Sequence, residues 1–230
     1  MFKTRRALKF FCASAFIALS SQADAALINF DITTNAGADR YGTGPGVFGT
    51  AASQWNERPR TTGSTNFALT DDTGAATSVT VTYARSGSGT GFASGTYSAL
   101  GVSSVASGTV SFSGLVAGGN YELAIFSDWS GVPSFTVGSA TKTLAPSNDW
   151  SSLTDGTQYV LFQATADASG NLSFAPNANP TASTLADTSP WSAFQLRDAA
   201  PAGVPAPGTL ALFSIGMAGF GFGRRDAKKA

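Results

Sequence analysis

The chain has no histidine and a single cysteine, Cys12, among its 230 residues. Without histidine it lacks the commonest general base and a frequent zinc ligand. Cys12 falls in an N-terminal segment that we expect to be removed, so no disulfide can stabilise the rest of the chain. No G-x-S-x-G motif precedes a predicted helix. These absences predict a protein that is stabilised by its core, has no catalytic residues and needs no cofactor.

Charged residues are also scarce, at 12% of the chain, about half of their usual share in soluble proteins. Residues 26–203 carry six basic against twelve acidic side chains, which gives a formal charge of −6. A protein that binds nucleic acid needs clustered Lys or Arg to neutralise phosphates. The charge pattern therefore excludes nucleic acid as a partner and leaves neutral polar groups to keep the surface soluble.

The N-terminus has the pattern of a secretory signal peptide. The basic segment MFKTRRALK precedes the apolar run FFCASAFIAL, which is too short to span a membrane comfortably. Ala23 and Ala25 supply the small residues of a cleavage site, with the cut before Ala26. We predict that residues 1–25 direct the chain to the secretion machinery and are then removed.

Between the two ends, apolar and polar residues alternate in short runs, a period that is typical of β-strands. The runs recur about every ten residues, as in an all-β sandwich or barrel. They are SVTVTYA, GTVSFSGL, SFTVG, QYVLFQAT and NLSFAP, with NYELAIFS apolar enough for a central strand. The first and last strands of a jelly roll often pair, and LINFDI and WSAFQLRD stand in those places. We predict an all-β, jelly-roll-like antiparallel β-sandwich over residues 26–198.

A polar, Gly-rich stretch, residues 33–64, interrupts the strand pattern and has the length of a functional loop. It contains Phe48 and Trp55. Exposed aromatic rings can stack on sugar rings, whereas buried ones are core, and the core interpretation is favoured for these two. The candidate glycan-stacking residues are Trp55, Trp129 and Trp150, and Trp191 is assigned to the core.

Two neighbouring acids, Asp71 and Asp72, are the closest approach to a carboxylate pair. Glycoside hydrolysis needs two carboxylates across a cleft, but Asp-Asp-x-Gly before a strand is ordinary turn chemistry, and we favour the turn. Loop oxygens of Asp71 and Asp72 are weak candidates for Ca²⁺. No spacing in the sequence demands a metal.

The C-terminus combines prolines, an apolar run and a basic stop, in VPAPGTLALFSIGMAGFGFGRR. A helix over about 208–223 is marginal as a membrane span, and by the positive-inside rule its arginines stay on the cytoplasmic side. The run is apolar all round, unlike a buried amphipathic helix. We predict a linker at 199–203 and, at 204–230, a sorting segment that holds the chain in the membrane.

This segment resembles the C-terminal sorting signal of the PEP-CTERM proteins, although Ala206 stands where that family usually has Glu. The resemblance rests on Val204, Pro205, Ala206, Pro207, Gly208, Arg224 and Arg225. It implies an exosortase as the partner that processes the tail, and a Gram-negative host that makes extracellular polysaccharide. GTVSFSGLVAGGNYELAIFSDW and WSAFQL are similar to β-sandwich domains of that family, which implies a galactose-binding-like jelly roll.

The leading hypothesis is an exported, exosortase-sorted protein of the cell surface or extracellular matrix, with a non-enzymatic structural or interaction role in exopolysaccharide or biofilm. The alternative is a carbohydrate-binding module on the cell surface. A secreted glycan-active enzyme is the third and less favoured hypothesis, because the sequence shows no catalytic constellation.

Overall fold

The computed structural model describes residues 26–33, 42–59, 63–84, 96–97, 100, 108–127, 132–145, 149–177 and 191–199. These residues contain eleven β-strands. In chain order they are β1 (Ile28–Thr33), β2 (Asn56–Pro59), β3 (Ser64–Thr70), β4 (Ala76–Tyr83), β5 (Val110–Ser113), β6 (Asn120–Phe126), β7 (Ser134–Val137), β8 (Ala140–Thr143), β9 (Tyr159–Thr165), β10 (Leu172–Pro176) and β11 (Ala193–Asp198).

The strands form two sheets that pack as a sandwich. The five-stranded sheet has the order β2-β1-β11-β6-β9, and the six-stranded sheet has the order β3-β4-β5-β10-β7-β8. The first and last strands pair antiparallel, with Phe30 opposite Phe194. The predicted all-β sandwich and the pairing of its terminal strands are therefore confirmed.

A central core of aromatic and aliphatic side chains fills the space between the sheets. Phe30 of β1 stacks on Phe194 of β11 with ring centroids 4.8 Å apart. The edge of the Phe112 ring meets Phe194 at 4.9 Å, and Phe174 meets Trp191 edge-on at 5.7 Å. Aromatic pairs favour both geometries beyond the gain from burial alone. Trp191 is fully buried here, as the sequence predicted.

A second cluster covers the outer face of the five-stranded sheet. Phe126 of β6 contacts Trp55 and Tyr159 there, with ring centroids 6.4 Å and 5.8 Å away. The cluster is completed by segments that cross the sheet; its buried members are Leu27, Phe48, Trp55, Leu100, Ala124, Phe126, Trp150 and Ala193. Because this sheet is covered on both faces, four successive residues of β11, starting at Ala193, are buried without alternation.

A buried glutamine fixes one of these covering segments to the sheet. The Gln195 carbonyl accepts hydrogen bonds from the backbone N–H groups of Val47 (2.6 Å) and Phe48 (3.1 Å). Its amide donates to the Asn29 side-chain oxygen (2.6 Å) and the Phe48 carbonyl (3.1 Å). Gly46 is required beside it, since a Cβ there would lie 2.2 Å from the Gln195 oxygen.

Three strands were missed by the sequence pattern, and one changes the predicted topology. β2 lies within the stretch 33–64 that was expected to be loop, and it pairs parallel with β1, so the sandwich is not purely antiparallel. β2 (NERP) and β8 (ATKT) lack apolar alternation, and all four residues of β8 are exposed. β3 was missed because its register against β4 shifts twice, so its buried residues do not keep a period of two.

The C-terminal helix expected at 208–223 lies outside the described residues, as does the signal peptide. Within the part of the chain that the structure describes, no helix is both long and apolar enough to cross a membrane.

Candidate functional site

The outer face of the six-stranded sheet is lined by small neutral polar side chains. Strands β4, β5, β10 and β7 direct their large apolar residues into the central core, so every second residue points outward. The outward hydroxyl residues are Ser78, Thr80, Thr82, Ser111, Ser113, Ser134, Thr136 and Ser173. The two sheets therefore differ: the outer face of one is covered by segments of the chain, and that of the other presents hydroxyl groups.

An open cleft of about 530 Å³ lies on this face. Its polar lining consists of Asn66, Thr82, Ser111, Ser113, Thr165, Asp167, Asn171 and Ser173, and we name it the hydroxyl cleft. Among these described residues, Asp167 is the single charged side chain. The cleft therefore suits an uncharged polar ligand.

Strand pairing aligns four of these residues in one row across the sheet. Thr82 lies opposite Ser111, and Ser111 lies opposite Ser173. Asn66 extends the row onto β3, where its backbone N–H donates to the Thr82 hydroxyl at 2.9 Å. Since neighbouring strands lie about 4.8 Å apart, the row is about 14 Å long.

Asn66 reaches the row because its strand is irregular. The register of β3 against β4 shifts between Ser64 and Phe67, and Asn66 has a positive φ of 49°. Asparagine tolerates the left-handed region better than most residues do. β-Bulges redirect side chains, and here the Asn66 amide oxygen accepts a hydrogen bond from the Thr82 hydroxyl at 3.3 Å.

The hydroxyls of the cleft differ in how far they are engaged. Thr80 and Ser113 bond to each other at 2.8 Å, and Thr165 donates to the Asn120 side-chain oxygen at 2.8 Å. Ser111 and Ser173 are exposed, and no described residue bonds to their hydroxyls. Each of these two serines offers a ligand one donor and two acceptor positions.

Asp167 borders the cleft as part of a tight turn before β10. Its carboxylate accepts from the backbone N–H groups of Asn171 and Ser169, both at 2.8 Å, and from the Asn171 side-chain amide at 3.2 Å. The hydrogen bonds from Asn171 and Ser169 lower the pKa of Asp167. At neutral pH this carboxylate is therefore an acceptor, and it lacks the raised pKa of a general acid.

Two of the three candidate stacking residues, Trp55 and Trp150, lie in the described part of the structure, and both are buried. Trp55 is 7% exposed, and its indole N–H donates to the Gly44 carbonyl at 3.0 Å. Trp150 is fully buried. Buried rings cannot offer a face to a sugar, so the candidate stacking role is wrong for Trp55 and Trp150. The core interpretation that the sequence favoured for Trp55 and Phe48 is confirmed. Trp129 lies outside the described residues, and its role stays a prediction.

Asp71 stabilises the turn between β3 and β4, and Asp72 joins this turn to neighbouring segments of the chain. Asp71 accepts from the Thr73 N–H (2.9 Å), the Thr73 hydroxyl (2.7 Å) and the Ala75 N–H (2.9 Å). Asp72 accepts from the Ser53 hydroxyl at 3.0 Å. The turn interpretation is confirmed. No group of three or more Asp, Glu, His or Cys side chains within the described ranges could hold a metal ion.

Of the residues assigned to the two processing signals, only Ala26 is among the described residues. Ala26, on the mature side of the predicted cut, is exposed two residues before β1. Ala23, Ala25 and the sorting residues lie outside the described part, and the signal-peptide cut stays a prediction.

Comparison with known proteins identifies the C-terminal segment of this exported β-sandwich chain. Residues 203–225 match the family model described as the PEP-CTERM protein-sorting motif. The chain carries this motif, so it is an exported protein that is held in the membrane before an exosortase sorts it. The match includes Ala206. Searches of curated proteins and of solved structures found no match.

The sequence did not single out the hydroxyl cleft. Ser111 and Ser173 are ordinary polar residues of alternating strands, and they become neighbours only because β10 pairs with β5. The available signal was that Ser and Thr fill the outward positions of several strands, with no charged residue among them.

Proposed function

We propose that this protein acts outside the cell, in the surface layer or extracellular matrix of a Gram-negative bacterium, and associates there with exopolysaccharide. Its role is structural and non-enzymatic. The observation that carries the proposal is the PEP-CTERM motif at residues 203–225, which follows a β-sandwich whose exposed sheet face presents neutral hydroxyls.

The carboxylates of the described loops support a non-enzymatic role. Hydrogen bonds from neighbouring serine, threonine and asparagine groups lower the pKa of Asp71, Asp149 and Asp167. A glycosidase needs one carboxyl whose pKa is raised so that it can donate a proton at the scissile bond. These three groups hold turns together as ionised acceptors, and Asp198, whose pKa is raised by burial, lies at the end of β11 beside the Tyr121 hydroxyl.

The experiment compares the native host with a strain that makes no exopolysaccharide. We expect the protein to be extracted with the matrix of the native host and to appear in the medium of the other strain. Equal distribution in the two strains would contradict association with the polysaccharide.

A second measurement separates binding from turnover. The purified protein is incubated with the host's own polysaccharide, and new reducing or unsaturated chain ends are counted. We expect no new chain ends, and their steady release would favour the glycan-active enzyme.

A carbohydrate-binding module is the second candidate function, favoured by the hydroxyl cleft.

A further inference from the structure

We propose that the hydroxyl cleft binds a neutral saccharide chain that crosses β3, β4, β5 and β10 along the row Asn66, Thr82, Ser111 and Ser173. This inference rests on the proposed function, because it assigns the contact with exopolysaccharide to one face of the sandwich and to one chemical class of glycan.

The charge of the cleft selects an uncharged ligand. An anionic glycan needs Lys or Arg to offset its charge, and the described lining has neither. The ionised Asp167 would repel a uronic acid or a sulfate ester, but it can accept a hydrogen bond from a sugar hydroxyl. A neutral saccharide matches this lining, because it carries no charge that needs Lys or Arg and its hydroxyls can donate to the Asp167 carboxylate.

The arrangement of donors and acceptors fits a chain of sugars. A saccharide presents hydroxyls at intervals along its length, and the row offers a polar side chain on each strand, about every 4.8 Å. Ser111 and Ser173 stand next to each other in the row with hydroxyls that no described residue engages. A protein partner is less suitable, because interface hot spots are usually large aromatic or Arg side chains seated in pockets.

The expected affinity for one short oligosaccharide is low. A neutral hydrogen bond replaces a bond to water, so each raises the affinity only about fivefold. A long polysaccharide that meets many anchored copies of the protein gains effective concentration, which raises the overall avidity without new contacts. Weak single contacts are therefore compatible with firm retention in a matrix.

The test uses the exported protein purified from its host and titrated with two probes, observed by NMR. One probe is a neutral oligosaccharide from partial hydrolysis of the host polysaccharide, and the other is an oligogalacturonate of similar length. We expect the neutral probe to bind and to shift the resonances of Ser111 and Ser173. In the double variant Ser111→Leu with Ser173→Leu, which fills the row, its affinity should fall about tenfold or more, the loss of two such hydrogen bonds.

Thr143→Leu is the matched control, because Thr143 is an exposed hydroxyl residue of the same sheet outside the cleft lining. Its affinity should equal that of the native protein, and denaturation curves of all three proteins check the fold. Stronger binding of the oligogalacturonate, equal binding by the double variant, or a cleft-dependent self-association in sedimentation would each overturn the proposal.

The two proposals fail separately. If the native protein associates with the matrix and the double variant does so equally, the cleft assignment is wrong and the proposed function stands. If the distribution of the native protein and of the double variant is the same in cells with and without the polysaccharide, the proposed function is wrong, whatever the titration shows.

Discussion

At the scale of single residues, Gln195 connects the five-stranded sheet to the segment that covers it. Its side chain is fully buried and makes four hydrogen bonds, to Asn29, Val47 and Phe48. A buried polar group that loses its partner costs about 1–3 kcal/mol. Gln195 therefore matters for stability more than its neutral side chain suggests.

We predict that Gln195→Leu lowers the free energy of unfolding by about 3 kcal/mol, since it leaves the backbone groups of Val47 and Phe48 without their partner. Urea denaturation measures this. Gln163→Leu is the control, because Gln163 is exposed on β9 and bonds only to Glu122 among described residues. Comparable losses in the two variants would show that the network does not fix the segment.

The turn carboxylates Asp71 and Asp167 predict how stability depends on pH. Hydrogen bonds, first from the Thr73 hydroxyl and the Asn171 N–H respectively, lower their pKa values below the ordinary 3.8. Their stabilising effect is therefore complete above pH 3.8 and is lost as pH falls through the lower folded pKa. Asp71→Asn with Asp167→Asn keeps an acceptor oxygen but removes both titrations.

We expect this double variant to show a shallower fall in the free energy of unfolding below pH 3.8 than the native protein. Urea curves at a series of acidic pH values give the comparison. An unchanged slope would mean that other groups dominate acid unfolding.

At the scale of elements, β11 is the strand from which the sorting segment leaves, and its end is held from several sides. β11 lies inside its sheet, between β1 and β6. The Arg197 guanidinium pairs with Glu122 and lies 3.8 Å above the centre of the Phe48 ring. The Tyr121 hydroxyl accepts from the Val116 N–H at 2.9 Å and bonds to the Asp198 carboxyl. Unfolding from the C-terminal end therefore has to break side-chain contacts as well as the strand ladder.

We predict that Tyr121→Phe loosens this end while the rest of the sandwich stays folded. The substitution keeps the ring and removes the hydroxyl that joins Val116 to Asp198. Amide hydrogen exchange should become about tenfold faster at Val116 and Ala199, the effect of about 1 kcal/mol or slightly more. Exchange at Phe174 in the other sheet is the internal control, and equal acceleration there would indicate general destabilisation.

Most strands could be predicted because one face of each is buried. In β4, β5 and β10, Val, Phe and Leu alternate with Ser and Thr, and burial follows that alternation. β2 and β8 have no such alternation, and only their backbone pairing with β1 and β7 identifies them as strands. The hydroxyl cleft could not be predicted from the sequence for another reason. The order of strands in the sheet decides which outward residues become neighbours, and the alternation of apolar and polar residues does not reveal that order.

The aromatic residues show a similar limit. A tryptophan in a Gly-rich stretch can be an exposed binding residue or part of the core under a covering segment, and the sequence favoured the core only slightly for Trp55. Trp55 and Trp150 took the second role because the five-stranded sheet has apolar residues such as Phe126 and Ala193 on its outer face, and these require a cover. Which sheet is covered depends on tertiary packing, so local sequence could not decide it.

At the scale of the whole molecule, the topology sets the end of the sandwich from which the chain continues toward the sorting segment. β11 ends at Asp198, opposite Tyr121 at the start of β6, and the turn that contains Val116 lies beside them. The sorting motif begins at residue 203 and the predicted span at about residue 208, so the nine residue steps from Ala199 to the span reach at most about 32 Å. The chain therefore leaves the sandwich toward the sorting segment at the end that contains Val116.

Val132 marks the opposite end. The chain leaves β6 at Phe126 and enters β7 at Ser134, so Val132 is separated from Val116 by the length of β6. Seven residues of strand correspond to about 20 Å. Both valines are exposed, Val116 at 69% and Val132 at 44%, and the chain's one cysteine, Cys12, lies in the predicted signal peptide.

We predict that a membrane-embedded quencher distinguishes these two positions in the unsorted protein. Val116→Cys and Val132→Cys are each labelled with the same fluorophore in a host without exosortase activity, where the chain stays held in the membrane. Quenching should be stronger on average for the label at position 116, because the chain leaves toward the membrane from that end of the sandwich, about 20 Å from position 132. Equal quenching would mean that the sandwich lies flat or tumbles freely, and stronger quenching at position 132 would reverse the orientation.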